Sequence, residues 1–154
     1  MAGRIRAIHL APAAGAPMEA VEEAIAVAER GLDGDRYLLE EGTFTTRGGS
    51  NLTLIEYETL EAVEREYDIS LEPGVHRRNV TTEGVALNHL VGERFRVGEA
   101  ICEGTELCEP CSYLERHLST EGVREALVHR GGLRARIVDG GHLAVGAPVG
   151  STNR

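Results

Sequence analysis

Short apolar runs, each ended within a few residues by glycine or proline, most constrain what this chain can fold into. Ile5–Leu10 reads as a first strand, stopped by the Pro/Gly/Ala stretch Ala11–Pro17. Leu52–Ile55, Asn79–Thr82, Phe95–Val97 and Ala100–Cys108 read as further short strands. Leu133–Val138 alternates, with Leu133, Ala135 and Ile137 on one face and Arg134 and Arg136 on the other. Gly140-Gly141 then turns it into His142–Val145, a hairpin signal. Helical patterns are fewer. Met18–Arg30 is the clearest, with Pro17 suiting its first turn, Gly31 its C-terminal cap, and Met18, Val21, Ala24, Ile25 and Ala28 forming one stripe. Glu56–Tyr67 places Tyr57, Leu60, Val63 and Tyr67 on one side, before Pro73-Gly74 breaks the chain. Shorter helices are expected at Ser112–Leu118 and Glu121–His129. Helices that are grouped, not alternating with strands, favour a mainly β fold of α+β character. The expectation is a β-barrel or twisted sheet decorated by several helices, not a doubly wound parallel sheet.

The 154 residues fit one domain over 1–154, without internal repeat or linker. A chain of this size buries about two-thirds of its unfolded surface, so its core needs no covalent staples. Three cysteines, Cys102, Cys108 and Cys111, are an odd number and do not form a secreted disulfide framework. No run approaches the roughly 20 apolar residues of a membrane span, and Met1-Ala2-Gly3-Arg4-Ile5-Arg6 lacks a signal peptide's apolar segment. A cytoplasmic protein is expected. The formal charge of −9 disfavours nucleic acid and anionic membranes as partners, because its long-range field repels both. All 16 basic residues are arginine. Without lysine the chain cannot bind pyridoxal phosphate covalently as a Schiff base, and it has no P-loop lysine. Arginine remains well suited to planar, bidentate recognition of phosphates and carboxylates.

The strongest local signal for chemistry is Leu107-Cys108-Glu109-Pro110-Cys111-Ser112, where an expected strand meets an expected helix. The unpaired N–H groups of a helix N-terminus lower a thiol's pKa, giving a nucleophile and soft metal ligand. Burial as a small hydrophobe is the plain alternative. A structural zinc site needs four ligands; Cys102 and His117 are the only completions in view, and their spacing matches no common pairing. A Cys108/Cys111 dithiol has thioredoxin-like spacing but lacks the surrounding βαβ pattern. His76-Arg77-Arg78-Asn79 offers two guanidinium groups beside an amide, suited to an anion. Gly31-Leu32-Asp33-Gly34-Asp35-Arg36-Tyr37 is a Gly-rich loop in which Asp35 can orient Arg36. His76, His89, His117 and His142 form no catalytic arrangement.

Four segments occur in an informative order: Gly31 to Tyr37, then Arg77-Arg78-Asn79-Val80-Thr81-Thr82-Glu83-Gly84-Val85, then Leu90 to Gly98, then Cys108-Glu109-Pro110-Cys111. In that order they resemble a MOSC domain, the domain found at the C-terminus of molybdenum cofactor sulfurases and in amidoxime-reducing proteins. The similarity runs from about Ile5 to Val149. The resemblance implies a β-barrel-like fold and a site for the molybdenum–pterin cofactor. It implies that Cys111 is the functional cysteine and molybdenum ligand. Arg77 and Asn79 are implied as cofactor-binding residues, with Arg78, Asp35 and Arg36 beside them. A thiolate suits an oxo-molybdenum centre already held by a dithiolene, and arginine suits the phosphate at the cofactor's other end. Cys108 is then a bystander or resolving thiol.

Two activities follow from the resemblance. One is two-electron reduction of a small N-hydroxylated compound, which needs an electron-donor protein because the chain has no flavin, haem or iron–sulfur motif. The other is sulfur delivery through a Cys111 persulfide, received from a separate pyridoxal-phosphate desulfurase. The chain lacks the N-terminal β-barrel domain and any added C-terminal domain of larger members. Its pocket is therefore expected to be more open, or to be completed by a second subunit in an oligomer. The rival readings are a thiol–disulfide protein using Cys108 and Cys111, and a non-enzymatic binding module.

Overall fold

A computed structural model describes residues 3–11, 18–35, 51–68, 78–107 and 131–151. The strands are β1 (Gly3–Leu10), β2 (Glu19–Val21), β3 (Glu23–Val27), β4 (Gly31–Leu32), β5 (Leu52–Glu56), β6 (Val80–Glu83), β7 (Arg94–Val97), β8 (Ala100–Leu107), β9 (Leu133–Asp139), β10 (Gly141–Ala144) and β11 (Pro148–Ser151). Among the described residues they are joined by one α-helix, α1 (Tyr57–Tyr67), and a 3-10 turn at Leu87–Leu90.

Seven strands close into a barrel in the order β11-β7-β8-β9-β5-β6-β1, with Gly3 and Arg4 of β1 pairing back to Val149 and Pro148. Within the barrel only β5 and β6 run parallel. The same edge of β1 that carries β11 at one end carries β2 at the other, along Ile8 to Leu10. Alternation decides which side chains fill the ring. Leu133, Ala135 and Ile137 are fully buried, as are Leu52 and Leu54 on β5 and Phe95 and Val97 on β7. The expected β-barrel is therefore correct.

One expected helix is absent. Met18–Arg30 forms β2, β3 and the turn that leads into β4. Ala24 and Ala26 face the core while Glu23 and Ile25 face out, Ile25 being 48% exposed. That is period two. Alanines at close spacing let the segment satisfy a helical stripe on paper, but pairing of β3 with β10 and β4 fixes the strand. Gly31 caps no helix: it opens β4, paired with Val27, with a positive φ of 128°.

The expected hairpin at Gly140-Gly141 is also corrected. β10 follows β9 directly but pairs with β3, in a separate three-stranded sheet β10-β3-β4. The two glycines serve close approach instead. A Cβ on Gly140 would lie 2.5 Å from the Ala26 carbonyl oxygen, and one on Gly141 2.7 Å from Glu99 backbone atoms. The small sheet contributes Ala24, Ala26, Leu32 and Leu143 to the barrel core.

Helix α1 starts one residue later than expected. It buries Thr59 and Val63, while Tyr67 is exposed. Its N-terminal end is stitched to the segment after β6: Glu56 accepts the Leu87 N–H at 3.1 Å and Glu58 accepts the Gly84 N–H at 2.8 Å. Burial raises the Glu56 pKa, and the Leu87 N–H partly offsets it. The expected helices at Ser112–Leu118 and Glu121–His129 lie outside the described residues.

One core side chain is out of keeping with its surroundings. Thr82 is fully buried on β6, on the same face as Val80, and its hydroxyl makes no hydrogen bond among the described residues. Thr82→Val keeps the shape and removes the unsatisfied group, so urea unfolding is expected to show stabilisation of about 1 kcal/mol. Unchanged or lower stability would count against this account.

Candidate functional site

A single line of paired residues crosses the barrel wall: Leu107 (β8), Leu133 (β9), Leu54 (β5), Val80 (β6) and Ile8 (β1). β8 and β9 extend to one side of this line, and β6 to the other. The chain therefore departs from β8 towards Cys108 where it also starts β9, and arrives at β6 from Arg77 on the same line.

Asn79, just before β6, is fully buried and knits three strands together. Its Oδ1 accepts the Thr53 N–H at 3.1 Å and the Thr53 hydroxyl at 3.2 Å. Its Nδ2 donates to the His9 carbonyl at 3.2 Å, and its own carbonyl accepts the His9 N–H at 2.7 Å. The carboxamide thus spends three of its four hydrogen-bonding capacities on β5 and β1. Arg78 is 8% exposed, and its Nε–H donates to the Gly131 carbonyl at 2.8 Å. The bond links Arg78, two residues before β6, with Gly131, two residues before β9. Gly132 makes room for it. A Cβ there would lie 2.2 Å from the Leu54 carbonyl oxygen and 3.4 Å from the Arg78 Nε, and its φ is +116°.

Asp35 is also fully buried, and its Oδ1 accepts the Ala11 N–H at 2.9 Å, where β1 ends. This fastens the Gly-rich loop to the end of β1. Cys108, Cys111, Arg77, Arg36, His76 and His117 lie outside the described residues. Cys102 is a core residue, beside Phe95 and Ile137, with its thiol pKa pushed up to about 12 by burial. It is a packing group, not a metal donor. Among the described residues no three His, Cys, Asp or Glu side chains cluster to hold a metal.

Arg134 and His9 were not singled out as buried polar residues by the sequence. Arg134 is covered on the outer face of β9, with Glu106 3.8 Å from its Nε. His9 is 3% exposed within β1, joined through its backbone to Asn79. A polar residue beside Ile8 and Leu10 was the available signal. Burial lowers the His9 pKa from 6.5, so the folded protein keeps the ring neutral at neutral pH. Below about pH 6.5 the unfolded chain takes up a proton that the folded chain resists, so His9 makes stability fall on acidification. Urea midpoints at pH 7.5 and 5.5 are expected to differ less in His9→Gln than in the parent. An equal difference in both proteins would remove His9 as the cause.

The family model for the MOSC domain matches residues 17–150. The chain belongs to the MOSC domain family. No curated protein matches this sequence significantly. The fold superimposes on the crystal structure of the YuaD protein from Bacillus subtilis with a TM-score of 0.77 at 14% identity, over 97% of this chain and 94% of that one. It superimposes on YiiM from Escherichia coli with a TM-score of 0.71 at 20% identity, over 100% and 71% of the two chains. YiiM from Geobacillus stearothermophilus gives 0.75 at 16%, over 99% and 76%. At such identities these likenesses establish the MOSC fold alone. Among the described residues no helix is long and apolar enough to cross a membrane.

Proposed function

We propose that this MOSC protein binds the molybdenum cofactor, with Cys111 as the protein ligand to molybdenum and Arg77 as the main phosphate contact. The observation that supports this is the register line Leu107–Leu133–Leu54–Val80. Three strand spacings of about 4.8 Å each separate Leu107 from Val80 along it. Cys111 follows Leu107 by four residues, a tether of at most about 14 Å. Arg77 precedes Val80 by three. A thiol and a guanidinium group on such short tethers, from neighbouring points on one wall, match a ligand with a metal at one end and a phosphate at the other.

The donor chemistry fits. Cys102 and the described carboxylates offer no competing metal site, and arginine is the only fixed cation the chain has for an anion. The buried Asn79 and Asp35 act here as framework, tying β1 to β5, to β6 and to the Gly-rich loop. When bound, the cofactor supplies two-electron chemistry. Cys111 then either anchors the metal for reduction of a small N-hydroxylated substrate or carries sulfur as a persulfide. In the first case electrons come from a separate donor protein, and in the second the persulfide sulfur comes from a separate pyridoxal-phosphate desulfurase.

The test is elemental analysis with pterin fluorescence on protein made in a host that synthesises the cofactor. Near-equimolar molybdenum and pterin are expected, and protein free of both overturns the proposal. A cyanolysable sulfur on Cys111 selects the carrier activity. A loss of two hydrogens on mild oxidation that vanishes in Cys108→Ala, with no molybdenum bound, selects the dithiol instead.

A further inference from the structure

An aspartate followed by glycine has an unshielded backbone nitrogen within reach of its own carboxyl group. The pair occurs twice in the sequence, at Asp33-Gly34 and Asp139-Gly140. Both pairs are exposed, but the fold holds them differently. Asp33 and Gly34 are the central residues of a turn closed by the Asp35 N–H on the Leu32 carbonyl at 3.0 Å. Gly34 has a φ of 88°, and an added Cβ there would meet only the tip of Leu10, 3.7 Å away. Among the described residues neither the Asp33 carboxylate nor the Gly34 N–H has a hydrogen-bond partner. The peptide joining them is therefore free to turn over while the closing bond stays. Asp139 instead pairs with Ile101 in the β8–β9 ladder, and Gly141 on its other side pairs with Ala26. A Cβ on Gly140 would lie 2.5 Å from the Ala26 carbonyl oxygen, so that backbone has no room to move.

We infer that Asp33-Gly34 is a site of spontaneous isoaspartate formation, and that Asp139-Gly140 is protected by the ladders flanking it. The Gly34 nitrogen attacks the Asp33 side-chain carboxyl carbon. Its proton and the carboxyl hydroxyl leave as water, and a five-membered succinimide closes. Water then adds back at one of the two ring carbonyls. Opening at the side-chain carbon restores aspartate. Opening at the backbone carbon breaks the original peptide bond and leaves the chain running through the side chain, with a new free carboxylate and unchanged mass. Water is the only co-reactant. The product has one more backbone carbon between two anchors: Leu32 and Asp35 are both fully buried, and the Asp35 Oδ1 accepts the Ala11 N–H at 2.9 Å. The lengthened turn pulls on the end of β1, and the modified protein melts lower.

The experiment incubates the protein in warm, mildly acidic buffer. Isoaspartate is located by peptide mapping and counted by methyl transfer from labelled S-adenosylmethionine with an isoaspartyl methyltransferase. Folded protein is expected to accumulate at least about 5-fold more at Asp33 than at Asp139, the ratio that having to open one ladder hydrogen bond would give. In urea the two sites are expected to react at similar rates. Asp33→Glu would need a six-membered ring, so it is expected to remove most methyl acceptance from the folded protein. Equal accumulation at the two sites in folded protein overturns the inference, and so does none at Asp33. An unchanged Tm in the modified fraction overturns the pull on β1. These readouts are independent of molybdenum.

Discussion

Cys111→Ala is expected to purify with molybdenum reduced at least about 10-fold, while its fold is unchanged. In the proposed site the thiolate is the chain's single bond to the metal, and no second soft donor is at hand: Cys102 sits in the barrel core with its thiol protonated at any ordinary pH. Pterin content is expected to fall in step with molybdenum, because the metal travels with the pterin dithiolene that already holds it. Cys108→Ala is the control and is expected to retain the metal. Plasma emission spectrometry with fluorescence of the oxidised pterin reads both quantities. Full molybdenum in Cys111→Ala would remove the thiolate from the mechanism.

The largest expected loss of stability lies at Gly132. Its φ of +116° is a backbone shape that L side chains rarely adopt, and an added Cβ would sit 2.2 Å from the Leu54 carbonyl oxygen. Neither neighbour can yield, because Leu133 and Leu54 are a register pair in the β5–β9 ladder and both are fully buried. Gly132→Ala is therefore expected to cost about 3 kcal/mol or more, by analogy with overpacking in a close-packed core. For a domain of this size that is a fall in Tm of roughly 10 °C. Gly146→Ala provides the comparison, since that glycine shares a positive φ but has nothing within 4 Å of the added atom. A smaller loss at 132 than at 146 would show that backbone shape, not the Leu54 contact, governs both.

The fold was legible where strands alternate, as in β7 and β9. Leu133, Ala135 and Ile137 announced their buried face from sequence alone, and the motif order pointed to the family. The stretch Met18–Arg30 misled because alanine fits both a helical stripe and a two-residue repeat, and only its neighbours β4 and β10 decide between them. Gly140-Gly141 misled for a related reason. A glycine pair signals either a tight turn or a close crossing of backbones, and which one depends on Ala26 and Glu99, far away in sequence. At the candidate site, Asn79 and Asp35 stood out in the sequence, but not what they hold. Their partners Thr53, His9 and Ala11 carry no motif of their own, being defined by register across the barrel.

The seam between β1 and β11 has a consequence for synthesis. Gly3 pairs with Val149, so the ring is joined by residues 146 apart in the sequence. During translation β1 emerges well before β11, and that part of its edge is uncovered until the residues between them have been made. Closure is thus a late, slow step dominated by distant contacts, and until it occurs the facing edges of β1 and β7 present open backbone to other nascent chains.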